Sequence, residues 1–188
     1  MKTIVFDFDK TLTYKDSLTQ LFMEMMRGWR IIFYPYYLSL KVLSKLKIIS
    51  VFREKELTMR ALFPQSETAL SLLLKNFAFR IELNPLNEKV TDEIVNSNQV
   101  VILSASPDVY LKELFPQCQV IGMQIKVDKG IQITQHPYGE DKLKCLLDRG
   151  IKVIDEMYYD SKSDESLLPI CKKAFRVKNG IIVKTTKA

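Results

Sequence analysis

At 188 residues, 47% hydrophobic and 27% charged, the chain has the length and composition of one globular domain, or of one domain with an insertion, which excludes the disordered and low-complexity classes. Lys and Arg outnumber Asp and Glu by 28 to 22, and the net charge of +6 favours anionic partners without choosing among phosphate esters, nucleic acid and anionic bilayers. Cys118, Cys145 and Cys171 are widely spaced and odd in number, as expected of reduced thiols in a cytosol, and no uncharged apolar run reaches the roughly 18 residues of a spanning helix. The N-terminus leads straight into an apolar strand rather than a basic and apolar leader, so a cytoplasmic location is expected.

The first strand, Ile4-Val5-Phe6, delivers Asp7 and Asp9 at an abrupt turn ending in Thr11-Leu12-Thr13. A β-branched and aromatic run of this kind suits a buried parallel sheet, where ligands sit outside the carboxyl ends of the strands. Side chains on a strand repeat every two residues, so the two carboxylates are expected on one face, close enough to share a cation or a substrate. From Tyr14 to Leu83 the apolar spacing is helical, as in Leu18, Leu21, Phe22 and Met25, then Val51 to Phe63 and Ser66 to Phe79. This stretch reads as an all-helical insert, residues 14–83, between residues 1–13 and 84–188.

Asn84-Pro85 is placed to open a helix running to Asn98. Val100 to Leu103 forms the second strand, ending at Ser104, and Ser106-Pro107 is placed to start the next helix. Gln119 to Gly122 is a third strand, followed by a hairpin about Asp128-Lys129-Gly130. A loop with the only histidine, His136, precedes a helix containing Lys142 and ending near Gly150. Ile151 to Tyr159 makes a fourth strand that runs into Asp160-Ser161-Lys162-Ser163-Asp164 and a helix; Ala174 to Val177 and Ile181 to Val183 close the chain as a hairpin across Asn179-Gly180. The expected fold class is therefore α/β, a Rossmann-like parallel sheet with an inserted helical cap and a small β-hairpin.

Four polar landmarks fall at strand ends or helix starts on one edge of this sheet: Asp7 with Asp9, Ser104, Lys142, and Asp160 with Asp164. Their order, through Asp-x-Asp-x-Thr-Leu-Thr, Ser-Ala-Ser-Pro, the lysine and Asp-Ser-x-Ser-Asp, resembles the haloacid dehalogenase-like hydrolase superfamily. The resemblance is to its phosphoserine phosphatase-like branch, whose helical cap lies between the first and second motifs. It implies a Mg²⁺-dependent phosphomonoester phosphatase. Asp7 would be the nucleophile that becomes an aspartyl-phosphate, and Asp9 the acid and base. Ser104 and Lys142 would hold phosphoryl oxygens. Asp7, the Asp9 main-chain carbonyl and Asp160 would be metal ligands, with Asp164 orienting Lys142 or metal-bound water. A dianionic ester repels a carboxylate nucleophile, so such chemistry needs concentrated positive charge at the phosphoryl oxygens. Two positions depart from the family pattern: Lys10 and Tyr159 stand where glycine is usual. They motivate the alternative of a fold that kept a phosphate ligand and lost turnover, acting as a binding or regulatory protein.

The substrate is expected to be a small phosphorylated metabolite or a lipid phosphate, selected by the cap. From Met25 to Arg53 there is no acidic residue, and Trp29 to Leu40 is aromatic and apolar, followed by Lys41, Lys45 and Lys47. The expected reading is that these aromatics pack the cap's helices together with the lysines solvated. The other reading lays the cap on an anionic membrane in peripheral contact, as for relatives that take lipid phosphates. No reading helix or stacking motif for nucleic acid is present.

Overall fold

The computed structural model describes residues 1–187, and Lys187 is described in its backbone alone. Strands β1 (Thr3–Phe6), β2 (Gln99–Pro107), β3 (Gln119–Val127), β4 (Ile131–Gln135), β5 (Ile154–Tyr159), β6 (Cys171–Lys178) and β7 (Ile181–Lys187) form one sheet in the order β4-β3-β2-β1-β5-β6-β7. The central five are parallel, and the two outermost pairs, β3 with β4 and β6 with β7, are antiparallel. β1 is thus central, and its alternation splits the interior. Ile4 and Phe6 enter one core and Val5 the other, which is why the strand is apolar throughout.

On the Phe6 side lie α5 (Asn87–Val95), α6 (Asp108–Leu114) and the helices that follow β1. On the Val5 side lie α7 (Glu140–Leu147) and a 3₁₀ helix, Lys162–Ile170. Tyr158 stacks between Phe6 and Phe175, each at 4.7 Å between ring centroids, and ties β1, β5 and β6 together on the first face. The next residue, Tyr159, points into the opposite core.

Between β1 and β2 come α1 (Ser17–Met25), a 3₁₀ helix (Gly28–Phe33), α2 (Tyr34–Lys45), α3 (Val51–Leu62) and α4 (Glu67–Ala78). Asp16 caps α1 by accepting the Thr19 N–H, and Ser50 caps α3 by accepting the Arg53 N–H. Leu18, Leu21, Phe22, Met59, Leu62, Leu70, Leu74 and Phe77 then share one core with Phe6 and Phe8. An isolated antiparallel bridge, Thr13 to Leu83, draws the two chain passes together at the base of these helices.

Local expectations differ from the structure at several points. Asn84 caps as expected, its Oδ1 accepting the Leu86 N–H at 3.0 Å, but the α-helix proper, α5, starts at Asn87, and the Asn84 NH₂ also donates to the Thr11 and Thr13 carbonyls at 2.8 and 3.2 Å. β2 continues to Pro107 and Ser106 does not cap α6, since its hydroxyl bonds Asp9 instead. The segment after β5 is a 3₁₀ helix containing Pro169, not an α-helix, and β5 begins at Ile154 rather than Ile151. The aromatic stretch was expected to pack the cap internally. It does so at Tyr37 and Leu40, whereas the 3₁₀ helix Gly28–Phe33 buries no residue. One face of α2 packs on α3, and among the described residues nothing covers Leu38 and Val42 on the other.

Candidate active site

The carboxyl ends of β1, β2 and β5 meet at a cleft of about 200 Å³ whose lining includes Asp7, Asp9, Ser104, Lys142, Asp160 and Asp164. The chain thereby brings together all six residues singled out from the sequence. Asp7 follows the last residue of β1, with its N–H on the Tyr158 carbonyl at 2.9 Å. Its Oδ1 accepts from Lys142 Nζ at 2.7 Å and its Oδ2 from the Thr11 hydroxyl at 3.2 Å. Lys142, in the first turn of α7, is itself buried and also donates to Asp164.

Asp9 belongs to the same cleft but to a different set of partners. Its carboxylate accepts the Ser17 N–H at 2.6 Å and the Ser106 hydroxyl, and Ser17 Oγ lies 2.8 Å from the Tyr110 hydroxyl behind it. β1 ends before Asp7, so strict two-residue alternation does not carry to Asp9, and the two carboxylates divide between two polar environments. Ser104 Oγ accepts the Ser106 N–H at 3.1 Å and keeps its own proton to donate.

Oxygens of Asp7, Asp160 and Asp164 lie within 4.8 Å of one another. Lys142 is the only cation that makes ion pairs with this group among the described residues. Burial is the largest influence on Asp7 and pushes its carboxyl up to about 8, with Asp164 and Asp160 adding to the rise and Lys142 opposing it. Asp160 is pushed up to about 6, first by burial and then by Asp164. Three carboxylates against one ammonium leave a deficit of positive charge, and hard oxygen donors so close together fit a divalent cation of the Mg²⁺ class. Asp9 is raised as well, by burial and then by Asp16, against the bonds from Ser106 and Ser17.

Residues with no local sequence signal complete the cleft. Lys55 reaches in from α3, donates to the Ala105 carbonyl at 3.0 Å, and is lowered by burial. Tyr138 lines the mouth, stacked on His136 at 5.7 Å, and His136 meets Phe52 edge-on at 5.9 Å. Burial holds His136 down to about 3, so it is neutral in this aromatic stack. Thr11, Ser17 and Ser106 are positioning residues whose partners become visible once the chain is folded.

Lys10 adopts φ 61°, the left-handed region that favours glycine, with its N–H on Thr13 Oγ1 at 3.0 Å. Its side chain faces both the cleft and an adjoining groove of about 470 Å³ that it shares with Asp160, Arg176, Lys178 and Lys184. Lys10→Gly should relieve roughly 1–2 kcal/mol of backbone strain, less about 0.5–1 kcal/mol of added unfolded-state entropy. The expected result is a melting temperature about 1–3 °C higher in a calorimetric scan. A lower value would show that the turn does not strain Lys10. Tyr159 is buried in the second core and does not line the cleft.

Comparison with known proteins gives the same picture at the level of family and fold. A family model described as haloacid dehalogenase-like hydrolase matches residues 4–168. A Bordetella pertussis Tohama I protein of unknown function has a similar structure at 15% identity, with a TM-score of 0.74 over 90% of this chain and 86% of that one. A phosphoserine phosphohydrolase-like protein from Francisella tularensis subsp. tularensis SCHU S4 aligns at 16% identity, TM-score 0.68, over 96% and 89% of the two chains. A phosphoserine phosphatase solved as a phospho-aspartyl intermediate analogue aligns at 16% identity, TM-score 0.61, over 93% and 85%. A search of curated proteins returns no match. With a Rossmann-like sheet, helices inserted after β1 and the matched family model, the chain belongs to the haloacid dehalogenase-like hydrolases.

Proposed function

We propose that the protein is a Mg²⁺-dependent phosphomonoester phosphatase working through an aspartyl-phosphate on Asp7. The observation that carries this reading is the Asp7 carboxylate fixed between Lys142 and Thr11, beside Asp160 and Asp164, with Asp9 held separately by Ser17 and Ser106. An Asp7 oxygen attacks phosphorus and the ester P–O bond breaks, while Asp9 gives its proton to the departing alkoxide. Burial raises the Asp9 carboxyl above the ordinary carboxylate range, a shift in the direction a proton donor needs. Asp9 then takes a proton from water as the water oxygen attacks phosphorus, the Asp7–phosphorus bond breaks, and inorganic phosphate is released.

Lys142 and the Ser104 hydroxyl are placed to hold phosphoryl oxygens through this exchange, and Asp164 fixes the lysine. Asp7, Asp160 and the Asp9 main-chain carbonyl would hold the divalent cation, which supplies positive charge against the phosphate dianion when bound. The reading of a fold that lost turnover finds less support: Lys10 occupies the left-handed turn without displacing Asp7 or Asp9, and Tyr159 lies outside the cleft.

The test is phosphate release from p-nitrophenyl phosphate and a panel of phosphomonoesters. Activity should require Mg²⁺ and disappear with EDTA. Protons compete with the cation for Asp7 and Asp160, so the Mg²⁺ concentration for half-maximal rate should rise as pH falls through about 8, and more steeply below about 6. Absence of metal-dependent release across the panel overturns the proposal.

A further inference from the structure

Six large apolar side chains, Trp29, Ile31, Ile32, Leu38, Leu46 and Ile48, stand exposed within one stretch of the cap, with Trp29 at 76%, Ile32 at 67% and Ile48 at 66%. Isolated exposed hydrophobics are ordinary, but a succession of this kind within about twenty residues marks a surface that meets something apolar. Trp29 and Ile32 are three residues apart in a 3₁₀ helix and eclipse on one side. Leu38, Val42 and Lys45 fall on one stripe of α2, away from Tyr37 and Leu40, which the cap buries. Leu46 and Ile48 continue from the end of that helix.

The charge around these residues has one sign. No Asp or Glu occurs between Met25 and Arg53. Of the basic residues there, Lys41 pairs with Glu54, Arg53 with Glu56, and Arg30 donates to the Leu62 carbonyl. Arg27, Lys45 and Lys47 are exposed and make no ion pair among the described residues. A second copy of this face would set the same unanswered cations against each other. An anionic bilayer answers both features, because apolar rings and branched chains enter the acyl boundary while lysine stems keep their ammonium groups at the headgroups. No helix here is long and apolar enough to cross a membrane, so the contact is peripheral.

The chain leads from this stretch to the catalytic cleft. α3 begins at Val51, three residues beyond Ile48, and its exposed Phe52 meets His136, which stacks on Tyr138 at the cleft mouth. Lys55, one turn further along α3, lines the cleft itself. Phe52, His136 and Tyr138 thus form an aromatic run from the start of α3 to the lining of the cleft.

We infer that residues 28–48 dock the protein on an anionic phospholipid bilayer, and that the cleft takes a phosphomonoester headgroup presented there. The docking stands on the surface alone; the headgroup as substrate rests on the phosphatase reading. Trp29 is the only tryptophan, so its emission reports this face directly. The whole protein is mixed at low salt with vesicles of phosphatidylcholine and phosphatidylglycerol, or of phosphatidylcholine alone. Expected are a blue shift of Trp29 emission and co-sedimentation with the anionic vesicles, weakened by high salt.

Ile32→Asp combined with Leu46→Asp should lower the partition coefficient at least about tenfold, since two exposed apolar side chains no longer enter the acyl boundary. Lys45→Glu with Lys47→Glu should lower binding to anionic vesicles and leave the weaker binding to neutral ones. Both variants should keep the parent's circular dichroism and its rate on p-nitrophenyl phosphate. No emission change and no sedimentation at low salt overturns docking, as does equal binding to both vesicle types or a Trp29 shift that tracks self-association without lipid. Vesicle binding with no phosphate release from any ester supports docking and overturns the chemistry instead.

Discussion

Asp7→Asn is expected to abolish phosphate release, by more than roughly a thousandfold, because the amide cannot form the phospho-enzyme bond. The same substitution should leave the metal-free protein as stable as the parent or more so. Asp7 is pushed up to about 8 chiefly by burial, so its ionised form opposes folding, and its removal leaves Lys142 with Asp164 as a balanced buried pair. The pH dependence has a definite sign. A carboxyl whose folded pKa lies above its unfolded value of about 3.9 holds its proton more tightly in the native state, so stability falls as pH rises between those values. His136, held down to about 3, acts in the opposite direction below its unfolded value of about 6.5, so the fall belongs to the range above it: the metal-free parent should lose melting temperature from about pH 6.5 to about pH 8, and Asp7→Asn should lose less. Phosphate assays and calorimetric scans in EDTA check the two halves separately. A variant that retains turnover, or that unfolds well below the parent at pH 8, contradicts this account of Asp7.

Lys142→Met is expected to do the reverse for stability. The ammonium is the charge shared by Asp7 and Asp164, and both carboxylates remain buried when it is removed. Breaking a buried pair by deleting one partner costs about 3–5 kcal/mol, which for a domain of this size lowers the melting temperature by roughly 6–20 °C. Activity should fall with it. Added Mg²⁺ should recover part of the lost stability, since a cation answers the same carboxylates, but not the rate, since nothing then takes the lysine's place on the phosphoryl group. An unchanged melting temperature in EDTA would mean that the Lys142 ammonium is not what holds these buried oxygens together in the folded protein.

The parts of this molecule legible in the sequence are those written in short, local patterns. The run Ile4-Val5-Phe6 is apolar at every position because it is central and covered on both faces, and the Asn179-Gly180 turn of the last hairpin takes positive φ at both residues, as that dipeptide favours. Asp7, Asp9, Ser104, Lys142, Asp160 and Asp164 were legible by their order, although no spacing rule joins Lys142 to Asp7. What escaped is non-local. Ser106 looked like a helix cap and is a partner of Asp9; Asn84 is the cap it looked like, but its NH₂ also ties two chain passes together. Lys55 carried no signal, because only the packing of α3 brings it to the cleft. The aromatic stretch misled for a related reason. Apolar composition says that burial is favourable but not against what, and the cap offers an internal partner for only one side of α2.

The join between cap and sheet has a mechanical consequence. The Asn84 side chain grips Thr11 and Thr13, its N–H takes the Leu12 carbonyl at 2.8 Å, and the Gly180 backbone lies so close to that amide that an added methyl carbon would fall 2.8 Å from it. Both passes into the helical segment are thus anchored within a few residues of the catalytic turn, and the anchor is braced by the β6–β7 hairpin. Asp7 thus sits on the sheet side of this joint, held by Lys142 and Thr11, whereas Asp9 is tied across it by the Ser17 N–H at the start of α1, so a displacement of the outer helices would be felt at Asp9 before Asp7.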